Sequence, residues 1–293
     1  MGGGSSKFYI DLKNALIDSL EIVANSIREW VYDLKESPIK SSSNYQVYYM
    51  VTSVFKHLFK LNLESKEIVR NEDSEWIDGF KKNSFKWYIY HQIKGFWNQN
   101  RQVGDLKRLL DDNDNSGMYS KSINKETWEE CLPEYFDGIK ETVTGRNITT
   151  ETKLFLNYLY KLMIEEDANV KRYFEIKEEG GKTVVFDIEH VVPYNKFKDF
   201  DEDLPISALG NLCYLPVKDN RSKGEYTIYE YALDRPSLVQ NEKFLQIIDY
   251  PKKENFSFID CPYDQFEGPY TNMVKNREEK MIKKYIDLIC MLH

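Results

Sequence analysis

A chain of 293 residues has room for one or two domains and a sizeable core, and 21 Tyr, 16 Phe and 5 Trp argue against wholesale disorder. Its 40 basic side chains against 48 acidic ones, a net charge of −8, argue against a dedicated nucleic-acid coat, because such proteins gain non-specific affinity by neutralising phosphates. No stretch approaches the roughly 18 consecutive apolar residues of a membrane span, so no membrane partner is expected and a cytoplasmic protein is.

Met1-Gly2-Gly3-Gly4-Ser5-Ser6 lacks the charged and apolar regions of a signal peptide, and residues 1–6 read as an expression linker. From Phe8 to Leu34, Leu12, Ala15, Leu16, Leu20, Val23, Ile27 and Trp30 recur at helical spacing and predict one apolar face. Pro38 and the serines that follow end that helix, and Asn44 is placed to cap a second, from Tyr45 to about Leu61. An aromatic-rich segment, Ser74 to Asn98, gives a third. The polar run Asp111 to Gly117 reads as a mobile loop, and helices resume over Lys125–Thr142 and Thr150–Glu166. Then the pattern changes. Arg172–Lys177 and Thr183–Ile188 read as strands of a hairpin turning at Gly180-Gly181, Leu212–Val217 reads as a further strand, and Asn272–Leu292 returns to helix. The fold class is therefore mainly α (α+β), with a helical domain over 7–168 and a small α+β domain over 169–293.

Four cysteines, Cys131, Cys213, Cys261 and Cys290, form no C-x-x-C pair, which fits reduced thiols and removes a Cys-rich zinc site. Gly180-Gly181-Lys182-Thr183 copies the end of a phosphate-binding loop, but the required glycine is Ile176 and a strand follows instead of a helix. No His-Glu-x-x-His is present, so a zinc protease is not indicated. His57, His91 and His293 stand outside any motif and read as surface or core residues.

The informative stretch is Asp187-Ile188-Glu189-His190-Val191-Val192-Pro193, followed by Gly210-Asn211-Leu212 and by Lys218-Asp219-Asn220-Arg221-Ser222-Lys223-Gly224. These three blocks, over about 40 residues from Phe186 to Tyr226, resemble the ββα-metal, or HNH, nuclease core. More narrowly they resemble the C-terminal nuclease domain of GmrSD-type restriction proteins, and the last block is similar to the HNH domain of RNA-guided CRISPR nucleases. Asn220 stands where many HNH enzymes carry histidine and keeps an oxygen ligand.

The chemistry follows the residue types. A neutral histidine titrating near neutral pH can take a proton from water, which makes His190 the general base. A hard cation, Mg²⁺ or Mn²⁺, needs oxygen ligands and relieves charge on a phosphodiester. The resemblance implies Glu189 and Asn220 as its ligands. Asp187, two residues before Glu189 on the same strand face, is a second candidate. Asn211 belongs to the catalytic group by the resemblance, holding the loop and orienting His190. Lys218, Arg221 and Lys223 are candidates to grip flanking phosphates, as is a stripe of Arg277, Lys280 and Lys284 on the last helix. Asp199, Asp201, Glu202 and Asp203, between the motif blocks, read as a solvated loop.

The resemblance implies a metal-dependent endonuclease that nicks or cleaves DNA, an effector of bacterial anti-phage or modification-dependent restriction. It also implies a partner, an upstream or separate domain that senses modification and hydrolyses nucleotide. Two other readings stand beside it: a helical scaffold of a defence complex with a vestigial nuclease core, and an HNH nuclease acting on RNA. Residues 1–150 carry 20 basic and 22 acidic side chains and residues 151–293 carry 20 and 26, yet 218–224 and 272–284 are locally basic. Weak, salt-sensitive DNA affinity is therefore expected, with targeting supplied by the partner.

Overall fold

The computed structural model describes residues 3–30, 44–96, 115–166, 186–200, 204–216, 223–231 and 242–291, and these are mainly helical. By its internal contacts the chain divides into two units, one of residues 1–31 and 41–124, the other of 32–40 and 125–293. The division at 124/125, rather than 168/169, arises because the helices over 125–166 pack on the last helix of the chain.

The first unit holds α1 (Gly3–Trp30), α2 (Asn44–Leu58), a hairpin of β1 (Phe59–Asn62) and β2 (Glu67–Arg70), and α3 (Ser74–Ile93). Gly3 to Ser6, expected as linker, belong to α1. The buried face of α1 is also rotated from the one expected. Ala15, Ser19, Val23, Ser26 and Ile27 are buried, whereas Leu16 and Leu20 are exposed. The small residues let α2 and α3 approach, and Ser19 and Ser26 satisfy their hydroxyls on the carbonyls of Ala15 and Ile22.

Helix α2 ends three residues earlier than its apolar pattern suggests, because Phe59 turns into the hairpin. Asn62 Oδ1 accepts the amides of Glu64 and Ser65, both at 3.0 Å, and Lys66 takes a left-handed φ of 54°. Asp73 then caps α3, accepting the Trp76 amide at 3.0 Å and His57 Nε2 at 3.0 Å, while His57 stacks on Trp76. A 3-10 turn, Asn115–Ser120, packs on α3 where Gly79 leaves room: a Cβ there would lie 2.8 Å from Ser120 O. His91 is buried among the rings of Trp87, Tyr90 and Tyr119, and burial holds its imidazole down to about 4. His293 lies outside the described residues.

The second unit holds α4 (Lys125–Gly138), α5 (Thr150–Glu166), β3 (Phe186–His190), β4 (Leu212–Pro216), two short helices, α6 (Ile228–Tyr231) and α7 (Glu242–Ile247), and the long α8 (Tyr263–Met291). Phe266, Tyr270, Val274, Met281, Tyr285 and Ile289 of α8 are buried at helical spacing. Tyr285 meets Trp128 of α4 at 5.4 Å and Phe155 of α5 at 4.5 Å, ring to ring. Strand β3 pairs antiparallel with β4, Phe186 opposite Pro216 and His190 opposite Leu212. Residues 172–185 of the expected hairpin lie outside the described residues; the partner found for 186–190 is 212–216. Among the described residues no helix is long and apolar enough to cross a membrane.

Candidate active site

Strand β3 puts Asp187 and Glu189 on one face and Ile188 and His190 on the other, by the two-residue alternation of a strand. The chain then turns at Pro193 into a 3-10 turn, Tyr194–Phe197, so His190 is the last residue of the strand. Asn211 fixes that exit. Its backbone carbonyl accepts from Val191 N at 2.7 Å and its Oδ1 from Val192 N at 2.8 Å, while its Nδ2 donates to the carbonyls of Ile206 and Val192. The side chain is fully buried, and every contact holds main chain. Asn211 is thus placed to hold the loop and position His190, as expected of it, through its main-chain contacts.

Helix α8 braces the same turn. A Cβ on Gly210 would lie 1.9 Å from the Val274 carbonyl oxygen, so glycine is required where helix and turn backbones touch. Arg277 is buried and spends its guanidinium on the carbonyls of Gly210 (3.0 Å), Leu212, Ile248 (3.1 Å) and Asp249 (2.8 Å). Glu278 accepts from the Gly210 amide, and burial raises its carboxyl to about 7 against the lowering effect of Lys140. The expected basic stripe is thus corrected at Arg277, which faces the core. Lys284 lies 3.4 Å from Asp249, and Lys280 is exposed. Glu278 escapes a motif search, although it shares the apolar face of Val274, Met281 and Tyr285.

A proton count assigns the tautomer of His190. Its Nε2 lies 3.1 Å from Ser207 Oγ, and that oxygen lies 2.6 Å from the carbonyl oxygen of Gly145. The carbonyl has no proton, so the single Ser207 hydroxyl proton goes to Gly145, and Ser207 must accept from His190. The neutral imidazole therefore carries its proton on Nε2. Its Nδ1 lone pair has no protein partner among the described residues. Ser207 is itself anchored by its amide on the Val143 carbonyl at 2.7 Å. Burial, followed by the positive charges of Lys223 and Arg146, holds the imidazole down to about 4, so it is neutral at neutral pH.

Glu189 is paired with Lys223, Nζ to Oε1 at 2.6 Å, and the lysine side chain is 1% exposed against 17% for the glutamate. Lys223 also donates to the Tyr226 carbonyl. Its assignment to phosphate gripping is corrected, because a buried ammonium committed to a carboxylate is no surface contact. The second oxygen of Glu189 and the carboxylate of Asp187 have no protein partner among the described residues, so the strand face offers oxygen donors of the kind a hard divalent cation takes. Asn220, the other implied ligand, lies outside the described residues, as do Lys218 and Arg221. Among the described residues no cluster of three His, Cys, Asp or Glu side chains is arranged to hold a metal.

Sequence reasoning missed the loop that reaches His190 from before α5. Gly145 and Ser207 have no motif around them, and Arg146, whose guanidinium lies 3.8 Å from the ring centre of Tyr194, is a lone exposed arginine. No family model matches the chain, and neither the curated proteins nor the solved structures yield a match.

Proposed function

We propose that the chain is a divalent-metal-dependent HNH endonuclease that nicks or cleaves DNA, with His190 as general base. The observation that carries this reading is the state of His190. It ends a strand of an antiparallel pair, is neutral at neutral pH, has its Nε2 proton held by Ser207, and keeps Nδ1 free to take a proton from water. Asn211 supports it by holding the two main-chain segments that aim the imidazole.

Glu189, with Asp187 beside it and Asn220 by the resemblance, would hold Mg²⁺ or Mn²⁺. Bound there, the cation supplies charge relief on the phosphate and acidifies water, which suits a base held as low as about 4. Lys223 takes one oxygen of the Glu189 carboxylate and fixes its orientation on the strand face. The same role in a bacterial restriction or anti-phage system, in the cytoplasm and under a separate sensing and nucleotide-hydrolysing domain, completes the reading.

A vestigial core in a scaffold protein is favoured by one observation, the Lys223 ammonium already seated on Glu189. Mn²⁺ separates the two. At a hundredfold excess over Kd a bound cation adds about 2.7 kcal/mol, or roughly 5 °C or more in melting temperature. A competent site shows that rise and loses it in Glu189→Gln; a vestigial one shows no rise. Labelled DNA and RNA of one sequence, incubated with Mg²⁺, then decide the substrate: DNA is expected to be cut, and cleavage of RNA alone would make the chain a ribonuclease.

A further inference from the structure

Three of the cations nominated for phosphate binding are already committed: Lys223 to Glu189, Lys284 to Asp249, and Arg277 to four backbone carbonyls. Lys196, on the 3-10 turn after His190, is likewise paired, with Glu230 at 2.8 Å and Asp260 at 2.9 Å. Arg146 differs from all of them. It is exposed, and no carboxylate pairs with it among the described residues.

Its position is fixed at both ends. Gly145, the preceding residue, accepts the Ser207 hydroxyl at 2.6 Å, and Ser207 holds His190 Nε2 at 3.1 Å, so the backbone of this loop is two hydrogen bonds from the imidazole. At the other end the guanidinium lies over Tyr194, 3.8 Å from the ring centre, and Tyr194 opens the turn four residues after His190. A guanidinium over an aromatic face keeps its edge N–H groups directed outward, in the fork geometry that matches two phosphate oxygens, and the stack reduces the side-chain entropy lost on binding.

We infer that Arg146, held on Tyr194, is a phosphate-binding residue of the His190 site and contacts a backbone phosphate of the nucleic-acid substrate next to the bond that is cut. This rests on the nuclease reading and deepens it. The contact is sequence-independent and lies with binding, since Arg146 takes no proton and holds no metal.

The test uses the full chain and a fluorescein-labelled DNA duplex, with binding measured in EDTA over a salt series and cleavage measured with Mg²⁺. Arg146→Ala is expected to weaken binding about tenfold, to lower the slope of log K against log salt by about one, and to raise KM more than it lowers kcat. Arg146→Lys restores the slope but recovers affinity only in part, because an ammonium lacks the planar stack and fork. An unchanged Kd and slope in Arg146→Ala, with wild type binding and cutting, overturns the contact and leaves the nuclease reading standing. A wild type that neither binds nor cuts overturns both. Weaker binding in Arg146→Ala from a wild type that binds without cutting supports the contact and removes the nuclease reading.

Discussion

Replacing Ser207 by alanine isolates the tautomer of His190 from its fold. The substitution deletes one hydroxyl that accepts the Nε2 proton at 3.1 Å and donates to Gly145 at 2.6 Å, while the Ser207 amide keeps its bond to Val143. The Gly145 residue is exposed, so its carbonyl rehydrates. The half-buried Nε2–H is left without its acceptor, and the preference for the Nε2–H form falls by the net value of one hydrogen bond, about 1 to 2 kcal/mol, or roughly 5- to 30-fold in the ratio of the two tautomers, with kcat falling in proportion to the Nε2–H fraction that remains. KM should change little, since Ser207 faces the imidazole and the loop. The ¹⁵N shifts of His190 report the proton independently of activity. Wild type and Ser207→Thr should show a protonated Nε2 and a bare Nδ1, and Ser207→Ala a mixture. A wild type protonated on Nδ1, or a Ser207→Ala protein with unchanged shifts and kcat, would refute the reasoning.

The brace formed by α8 gives three further expectations. Gly210→Ala forces a Cβ against a helix carbonyl 1.9 Å away and should cost about 3 kcal/mol or more, read as a lower urea midpoint; a neutral result would mean that helix and turn do not touch. Arg277→Met leaves four carbonyls without their donor and should cost a similar amount, with no change in the salt slope of DNA binding. Glu278 has a folded value of about 7 against an ordinary 4.5, so the folded chain binds its proton more tightly, and its contribution falls by up to about 3 kcal/mol as pH rises from about 4.5 to 7. Glu278→Gln should remove that fall. His190 acts in the opposite sense: its value of about 4 lies below the ordinary 6.5, so stability is lost as pH drops through that window, and kcat/KM should hold to about pH 5 before falling.

Local signals made β4, part of β3 and most helices legible. Thr150–Glu166 is a helix with the boundaries its periodicity predicts, and the apolar run at Leu212 is β4. The face of α1 was not legible, because apolar size points to Leu16 and Leu20 whereas packing selected Ala15, Ser19 and Ser26. The β1–β2 hairpin was hidden behind helical spacing and set by an Asn62 side chain. At the candidate site, His190, Glu189 and Asn211 stand out because their blocks are contiguous in sequence. Ser207, Gly145 and Arg146 do not, since their relation to His190 exists only once the 143–146 loop and the 204–211 turn are folded against each other. Charge alone also misled at Lys223 and Arg277, which a sequence presents as cations and the fold consumes in its own interior.

The most direct test is nicking of supercoiled plasmid by the purified chain with Mg²⁺, wild type beside His190→Ala. Wild type is expected to give open-circular product, none when EDTA replaces Mg²⁺, and His190→Ala to lose at least about a hundredfold in rate. Equal cutting by the two proteins, or no metal-dependent cutting by wild type, would contradict His190 as the base of a metal-dependent nuclease.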